Sequence, residues 1–171
     1  ERMGLRHVLT HTGGRNPKGK DRPHPDNWTR ETWEMSVAAI RQILKDTSGS
    51  KIPLAMEAVN SCNNNTPQSH VRLKKDVGDP RVKVTLDPTN MLHPGVVFRT
   101  TELINLCFDL LSDDICYAHS KDVQWNNMLP GLEWVVPGTG VMDYETYLVR
   151  MSRLKEPRPL FIEFLPKEQY P

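Results

Sequence analysis

The sequence has little of what marks exported, membrane-spanning or nucleic-acid-binding proteins. Its three cysteines, Cys62, Cys107 and Cys116, show no CxxC spacing, so we expect reduced thiols in a cytoplasmic protein rather than a disulfide framework. No apolar run reaches the roughly 18 residues of a membrane span, and no signal-like segment is seen. The 22 basic and 21 acidic residues give a formal net charge of +1, which offers no field for nucleic acid or an anionic membrane. We therefore expect neither nucleic acid nor membrane as a partner.

What the sequence does contain is an alternation of strand-like runs and amphipathic helices. Five runs are typical of strands: 6–11, 52–57, 82–87, 115–119 and 160–164. Helices are predicted to begin at Thr29, at Thr66 with Pro67, at Thr100 or Thr101, and at Asp143. The stripes expected to face the core include Trp33, Val37, Ile40 and Leu44 in the first helix, Leu110 in the third and Leu148 in the fourth. This pattern predicts one α/β domain with a parallel sheet over residues 1–171.

Each strand-like run ends on a group that can bind a metal or move a proton: His11, Glu57, Asp87, His119 and Glu163. Alternate side chains of a strand share a face, so the apolar residues of runs 52–57, 82–87 and 160–164 oppose Glu57, Asp87 and Glu163. In a barrel the apolar face packs on the helices, and the terminal groups then point toward the barrel axis. Taken alone, each could be a solvated strand end or a structural histidine, but together they favour a metal or acid–base site. Three carboxylates and an imidazole suit Mn²⁺, Mg²⁺, Co²⁺ or Zn²⁺.

Five motifs occur in a characteristic order: LAMEAVN, VTLDPTN, YAHSKDV, VPGTGVMDYETYL and LFIEFL. With them the sequence resembles the sugar phosphate isomerase/epimerase family of the xylose isomerase-like barrel superfamily, from His11 to Leu165. The resemblance implies a TIM (β/α)8 barrel. A closed barrel has eight strands, and the five predicted here match the last five by the order of the motifs. We therefore expect the C-terminal five βα units, with the first three strands absent from this chain.

The resemblance also implies roles for individual residues. Glu57, Asp87, His119 and Glu163 match the ligands of one divalent ion, for which Mn²⁺ is the first choice and Mg²⁺, Co²⁺ or Zn²⁺ the alternatives. Glu57 and Glu163 match the acid–base pair that transfers a proton through a metal-stabilised enediolate.

Four further residues are expected to bind the substrate. Lys121 matches a substrate-contacting position of the family, and His11 matches the histidine that ends the fourth barrel strand. Trp125 is expected to line one side of the substrate pocket. The same superfamily also contains DNA-repair endonucleases. These carry a histidine three residues after the metal-binding aspartate, where this sequence has Asn90, and no histidine follows His119 here. The extra metal sites of those nucleases are therefore not expected.

The expected function is a metal-dependent isomerase or epimerase acting on a sugar, sugar phosphate or polyol. A lyase of the inosose dehydratase type on the same site is one alternative. A non-catalytic partial barrel that binds metal or sugar, or a barrel completed by another chain, is the other. The sequence also leaves open whether the chain forms a homo-oligomer.

Overall fold

The computed structural model describes residues 4–19, 22–126 and 131–164, which alternate between strands and helices as the sequence predicts. The strands are β1 (Val8–Thr10), β2 (Leu54–Glu57), β3 (Val82–Leu86), β4 (Ile115–Ser120), β5 (Asp122–Asn126), β6 (Gly131–Val135) and β7 (Leu160–Ile162). The helices are α1 (Arg30–Asp46), α2 (Pro67–Val77), α3 (Thr100–Leu111) and α4 (Tyr144–Ser152).

Five of these strands form a parallel sheet in the order β1-β2-β3-β4-β7. They correspond to the five predicted runs and form a half-barrel, which confirms the expected architecture. The two edge strands, β1 and β7, have only three residues each. They are shorter than predicted because an edge strand pairs along one side only, so fewer of its residues are held in extended conformation.

Three of the four helices begin where their capping residues predict. The Thr29 hydroxyl accepts from the backbone N–H of Thr32 at the start of α1. Thr66 and Ser69 form a reciprocal capping box on α2. Asp143 caps α4. The third helix differs, because Thr100 is its first helical residue and lends its hydroxyl to the neighbouring loop instead.

The core lies between the outer face of the sheet and the helices, in two clusters. The predicted α1 stripe is confirmed: one cluster contains Trp33, Val37, Ile40, Leu44, Leu54, Met56, Leu73, Val77 and Val82. The second packs α3 and α4 on β3 and β4, and its fully buried members include Leu86, Ile104, Phe108 and Tyr147. Among the described helices, none has an apolar stretch long enough to span a bilayer.

Two predicted core residues are in fact exposed. Leu110 of α3 is 42% exposed and Leu148 of α4 is 50% exposed. In α3 the buried stripe runs through Ile104, Phe108 and Leu111, spaced i, i+4 and i+7. At roughly 100° per residue, Leu110 lies to one side of that stripe. Counting every leucine as a core residue therefore placed Leu110 on the wrong face of its helix.

The segment after β4 contains two strands that are not among the five predicted runs. Here β5 and β6 pair antiparallel, with Trp125 opposite Leu132 and Val123 opposite Trp134. The Gly-Thr-Gly stretch that follows, at residues 138–140, is a turn.

Candidate metal centre

Three predicted ligands end neighbouring central strands at the same edge of the sheet. Glu57 is the last residue of β2, Asp87 directly follows β3, and His119 is the penultimate residue of β4. An irregularity in the β3–β4 register leaves Leu86 paired with Ala118, so Asp87 and His119 come next on adjacent strands. Strand pairing thus carries these side chains to one place.

The distances show a tight cluster. One ligand atom each of Glu57, Asp87 and His119 lie within 4.8 Å of one another. His119 Nδ1 is 3.0 Å from Glu57 Oε1 and 3.5 Å from Asp87 Oδ2. Glu163, directly after β7, brings Oε1 to 3.5 Å from His119 Nε2. The two glutamates therefore approach opposite nitrogens of the imidazole ring.

The Asp87 carboxylate is fully buried, and its two oxygens have different partners. Oδ1 accepts hydrogen bonds from the backbone N–H groups of Thr89 at 3.1 Å and Asn90 at 3.3 Å. Oδ2 has no aligned hydrogen-bond donor within the described residues; the Lys121 ammonium lies 2.6 Å from it, close enough for attraction but off the hydrogen-bond direction. A buried oxygen of this kind is a natural position for a metal ligand, since buried polar atoms otherwise find donors.

Lys121 places its ammonium among the three carboxylates. Besides its contact with Asp87, Nζ is 2.7 Å from Glu163 Oε2 and 3.7 Å from Glu57 Oε1. Asn90 joins the same network, because its Nδ2 donates to Glu57 Oε1 at 3.0 Å and its Oδ1 lies 3.4 Å from Lys121 Nζ. The structure thus brings two predicted substrate-binding residues against the predicted ligands.

The carboxylates raise the pKa values of both basic groups in the cluster. Burial lowers the pKa of His119, but Asp87, Glu57 and Glu163 outweigh burial and raise it to about 9. Burial likewise lowers the pKa of Lys121, and the same carboxylates raise it overall. The neighbouring carboxylates therefore favour the protonated form of the imidazole. A metal ion would take the place of that proton, because only neutral imidazole is a ligand.

The donor set fits a divalent ion. Carboxylate oxygens and one imidazole nitrogen are ligands that Mn²⁺, Mg²⁺, Co²⁺ and Zn²⁺ accept. Within the cluster, Glu57, Asp87 and His119 have ligand atoms close enough together to hold it; the role of Glu163 as a fourth ligand stays a prediction.

The other two predicted substrate-binding residues have different neighbours. His11 follows β1, where its Nδ1 accepts from the Gly13 N–H at 3.0 Å and lies 3.9 Å from Cys62 Sγ. Trp125 is half-buried in β5, opposite Leu132. The substrate-binding roles of His11 and Trp125 stay predictions.

A pair of stacked aromatic rings beside Lys121 was missed in the sequence. The rings of Trp134 and Phe164 are 4.6 Å apart and nearly parallel, at 5°. Lys121 Nζ lies 5.1 Å from the Phe164 ring centroid and 6.0 Å from that of Trp134. Phe164 has a φ of 59°, an unusual conformation for a bulky residue. For Trp134, the sequence signal that could have been used is the alternation of apolar and polar residues in β6, which is typical of a strand.

Asp122 was also missed, and it anchors the loop that follows β6. Its Oδ2 accepts from the N–H groups of Gly138 at 3.0 Å and Gly140 at 2.8 Å, and its Oδ1 from Met142 at 3.0 Å. A Cβ at Gly140 would collide with the carbonyl oxygen of Val123. Asp122 thus holds the Gly-Thr-Gly turn in place through these three hydrogen bonds.

A cavity of about 430 Å³ lies elsewhere, between α2 and α3, lined by residues such as His70, Gly78 and Leu110. It contains none of the clustered carboxylates. Convergent ionisable groups point to chemistry more strongly than cavity size does, so the strand-end cluster is the candidate site.

Fold and site together define a TIM-barrel-type α/β protein with a candidate divalent-metal centre at the C-terminal ends of its strands. The family model described as xylose isomerase-like TIM barrel matches residues 1–170. The chain belongs to this family, which confirms the resemblance seen in the sequence. No curated protein sequence matches the chain significantly.

Several solved structures share the backbone fold. The probable 3-DHS dehydratase AsbF from Bacillus anthracis, involved in petrobactin synthesis, is 14% identical over 95% of this chain and 58% of its own, with a TM-score of 0.71. An L-ribulose 3-epimerase is 19% identical over 97% of this chain and 50% of its own, with a TM-score of 0.67. The IOLI protein, with a bound zinc atom, is 16% identical over 96% and 56%, with a TM-score of 0.66.

This chain spans about half the length of the structures it matches. At these identities the likeness concerns the fold, and the neighbours include both an epimerase and a dehydratase. The reaction must therefore be argued from the site itself.

Proposed function

We propose that this chain forms part of a divalent-metal-dependent isomerase or epimerase acting on a sugar, sugar phosphate or polyol. The observation that carries the proposal is the convergence of Glu57, Asp87 and His119 at one sheet edge, with ligand atoms within 4.8 Å of one another. Similarity to an L-ribulose 3-epimerase and to a zinc-containing protein supports it. The proposal assigns the C-terminal five βα units of the barrel to this chain.

Glu57, Asp87, His119 and Glu163 would hold the ion. When bound, a divalent ion polarises a substrate carbonyl and stabilises the negative charge that develops as a neighbouring proton leaves. Mn²⁺ is the first choice, and the donor set accepts Mg²⁺, Co²⁺ or Zn²⁺ as well.

The two glutamates would be the acid–base pair. Both carboxylates lie near the Lys121 ammonium, at 3.7 Å for Glu57 and 2.7 Å for Glu163, which supports a shared role at one position. One carboxylate takes the proton from the carbon beside the carbonyl, and the electron pair stays on the substrate. The other, in its acid form, returns a proton to the opposite face (epimerisation) or to the neighbouring carbon (isomerisation). A positioned acid or base of this kind contributes about 10²–10⁴-fold.

The remaining polar groups would orient the substrate. Asn90 and Lys121 contact the glutamates directly and carry donors suited to hydroxyl oxygens. His11 and Trp125 are proposed to complete the pocket from the strand end of β1 and from β5.

A dehydratase is the second candidate, favoured by the backbone similarity to the probable 3-DHS dehydratase. One carboxylate would remove the proton, and the electron pair would expel a hydroxyl group from the next carbon. The other glutamate, in its acid form, would give that hydroxyl the proton with which it leaves as water.

Deuterium exchange separates these reactions. Metal-loaded protein is incubated with a panel of ketoses and inososes in D₂O, followed by mass spectrometry and NMR. We expect deuterium at the carbon beside the carbonyl for an epimerase or isomerase, and a product lighter by one water for a dehydratase. Glu57→Gln and Glu163→Gln should each lower the rate at least about 100-fold. Glu145→Gln, an exposed glutamate of α4, is the matched control.

Neither exchange nor elimination by metal-loaded protein with any substrate of the panel would contradict the enzymatic proposal. It would favour the non-catalytic alternative, in which the partial barrel binds only a metal or a sugar.

A further inference from the structure

The Lys121 ammonium occupies the space that the carboxylates of the candidate centre surround. Its shortest contacts are 2.6 Å to Asp87 Oδ2 and 2.7 Å to Glu163 Oε2, two of the four proposed ligands. Lys121 is 5% exposed, so its charge is neutralised by these groups rather than by bulk water. Both contacts are close ion pairs, at distances typical of an ammonium donating to a carboxylate.

This arrangement balances charge in the cluster. Three carboxylates gathered around one imidazole repel each other strongly where water is excluded. One ammonium in contact with two of them, and 3.7 Å from Glu57, offsets that repulsion. A divalent ion ligated by the same oxygens would meet the ammonium at close range and be repelled by it. The ammonium and the metal therefore compete for the same carboxylates.

The surroundings of Lys121 let its side chain leave while its backbone stays. The Lys121 carbonyl oxygen accepts from the Thr89 hydroxyl at 2.9 Å and the Tyr144 hydroxyl at 2.8 Å, which fixes the main chain. The four-carbon stem is flexible. The stacked rings of Phe164 and Trp134 lie 5.1 Å and 6.0 Å from Nζ, within the range at which an aromatic face attracts a cation. The rings therefore already attract the ammonium, and a shift toward them would keep a favourable partner for its charge.

We propose that the Lys121 ammonium is an internal counter-cation that holds the metal-free carboxylates in place and that an incoming divalent ion displaces toward the Trp134–Phe164 pair. The inference rests on the proposed metal site, and it assigns Lys121 a positioning role before any substrate binds. A residue that only supports the fold would strengthen both metal binding and stability. A counter-cation strengthens the metal-free protein and weakens metal binding.

The test compares Lys121→Met with Lys121→Arg in the 171-residue chain. Metal-free protein is titrated with Mn²⁺ by calorimetry, and its Tm is measured without metal. We expect Lys121→Met to bind Mn²⁺ at least about tenfold more tightly than wild type, since a close positive charge is removed, and to unfold at lower temperature without metal. Lys121→Arg keeps the charge and should keep the weaker affinity.

Lys83→Met is the matched control, because Lys83 pairs with Asp114, outside the candidate centre, and its loss should leave Mn²⁺ affinity unchanged. Equal or weaker Mn²⁺ binding by folded Lys121→Met would overturn the inference while leaving the metal site intact. Absence of Mn²⁺ binding by both wild type and variant would instead overturn the proposed function, and this inference with it.

Discussion

The central strands and the edge strands of the sheet carry the same kind of strand-end residue in different surroundings. Glu57, Asp87 and His119 lie at the ends of β2, β3 and β4, which pair on both sides, and they are 8% exposed or less. Glu163 follows the edge strand β7 and has a side chain 36% exposed. Its distance to His119 depends on a strand held from one side only, whereas the other three are fixed by pairing on both.

The apolar residues show the same contrast. Leu86 of β3 is fully buried, whereas Phe161 and Ile162 of β7 are 50% and 54% exposed, and Val8 of β1 is 44% exposed. Burial of an apolar side chain contributes in proportion to the area removed from water. The centre of the sheet therefore carries most of the apolar burial and the three most buried of the proposed ligands, while the edges carry the other proposed site residues.

Truncating one apolar residue in each region should give the largest difference. Leu86→Ala leaves a cavity in the core and should lower the free energy of unfolding by about 2–5 kcal/mol. Ile162→Ala removes a side chain of equal carbon count that is half in water, and should cost less than about 1 kcal/mol. Urea unfolding measures both. An equal decrease in the free energy of unfolding for the two variants would contradict the difference between the centre and the edge of the sheet.

Lowering the pH should also destabilise the protein, through a buried histidine. His70 of α2 is 2% exposed, and burial lowers its pKa from 6.5 to about 4. Between these values the unfolded chain binds a proton that the folded chain does not. Stability therefore falls as the pH is lowered from 6.5 to 4, by about 3 kcal/mol from this residue alone.

The measurement is the free energy of unfolding of wild type and His70→Gln across this pH range. Carboxylates titrate in both proteins, so the difference between the two curves isolates His70. We expect the wild type to lose more stability than the variant as the pH falls. Parallel curves would show that His70 titrates normally in the folded protein.

The convergence of Glu57, Asp87 and His119 could be predicted from the sequence because a strand imposes a strict period of two. Given the apolar face of β3, Asp87 had to point the other way, and parallel pairing then carried Glu57, Asp87 and His119 to one edge. The contact between Lys121 and the carboxylates required knowledge of the path after β4. The stack of Trp134 on Phe164 depends on β6 and an edge strand meeting in space, which no local pattern encodes. Leu148 shows the reverse error, since an apolar residue need not be buried.

The most direct test of the metal site is divalent-metal binding by wild type, Asp87→Asn and Glu163→Gln. Asparagine keeps the Oδ1 acceptor that caps the turn after β3 but removes the charge of the proposed ligand. Asp113→Asn, an exposed aspartate paired with Lys155, is the matched control. Mn²⁺ titration with elemental analysis gives the affinity and stoichiometry of each protein.

We predict one ion per wild-type chain and unchanged binding in Asp113→Asn. Binding should be weaker by at least about 100-fold in Asp87→Asn and by about tenfold in the more exposed Glu163→Gln. Wild-type affinity in folded Asp87→Asn would contradict the assignment of the central strand ends as the metal centre.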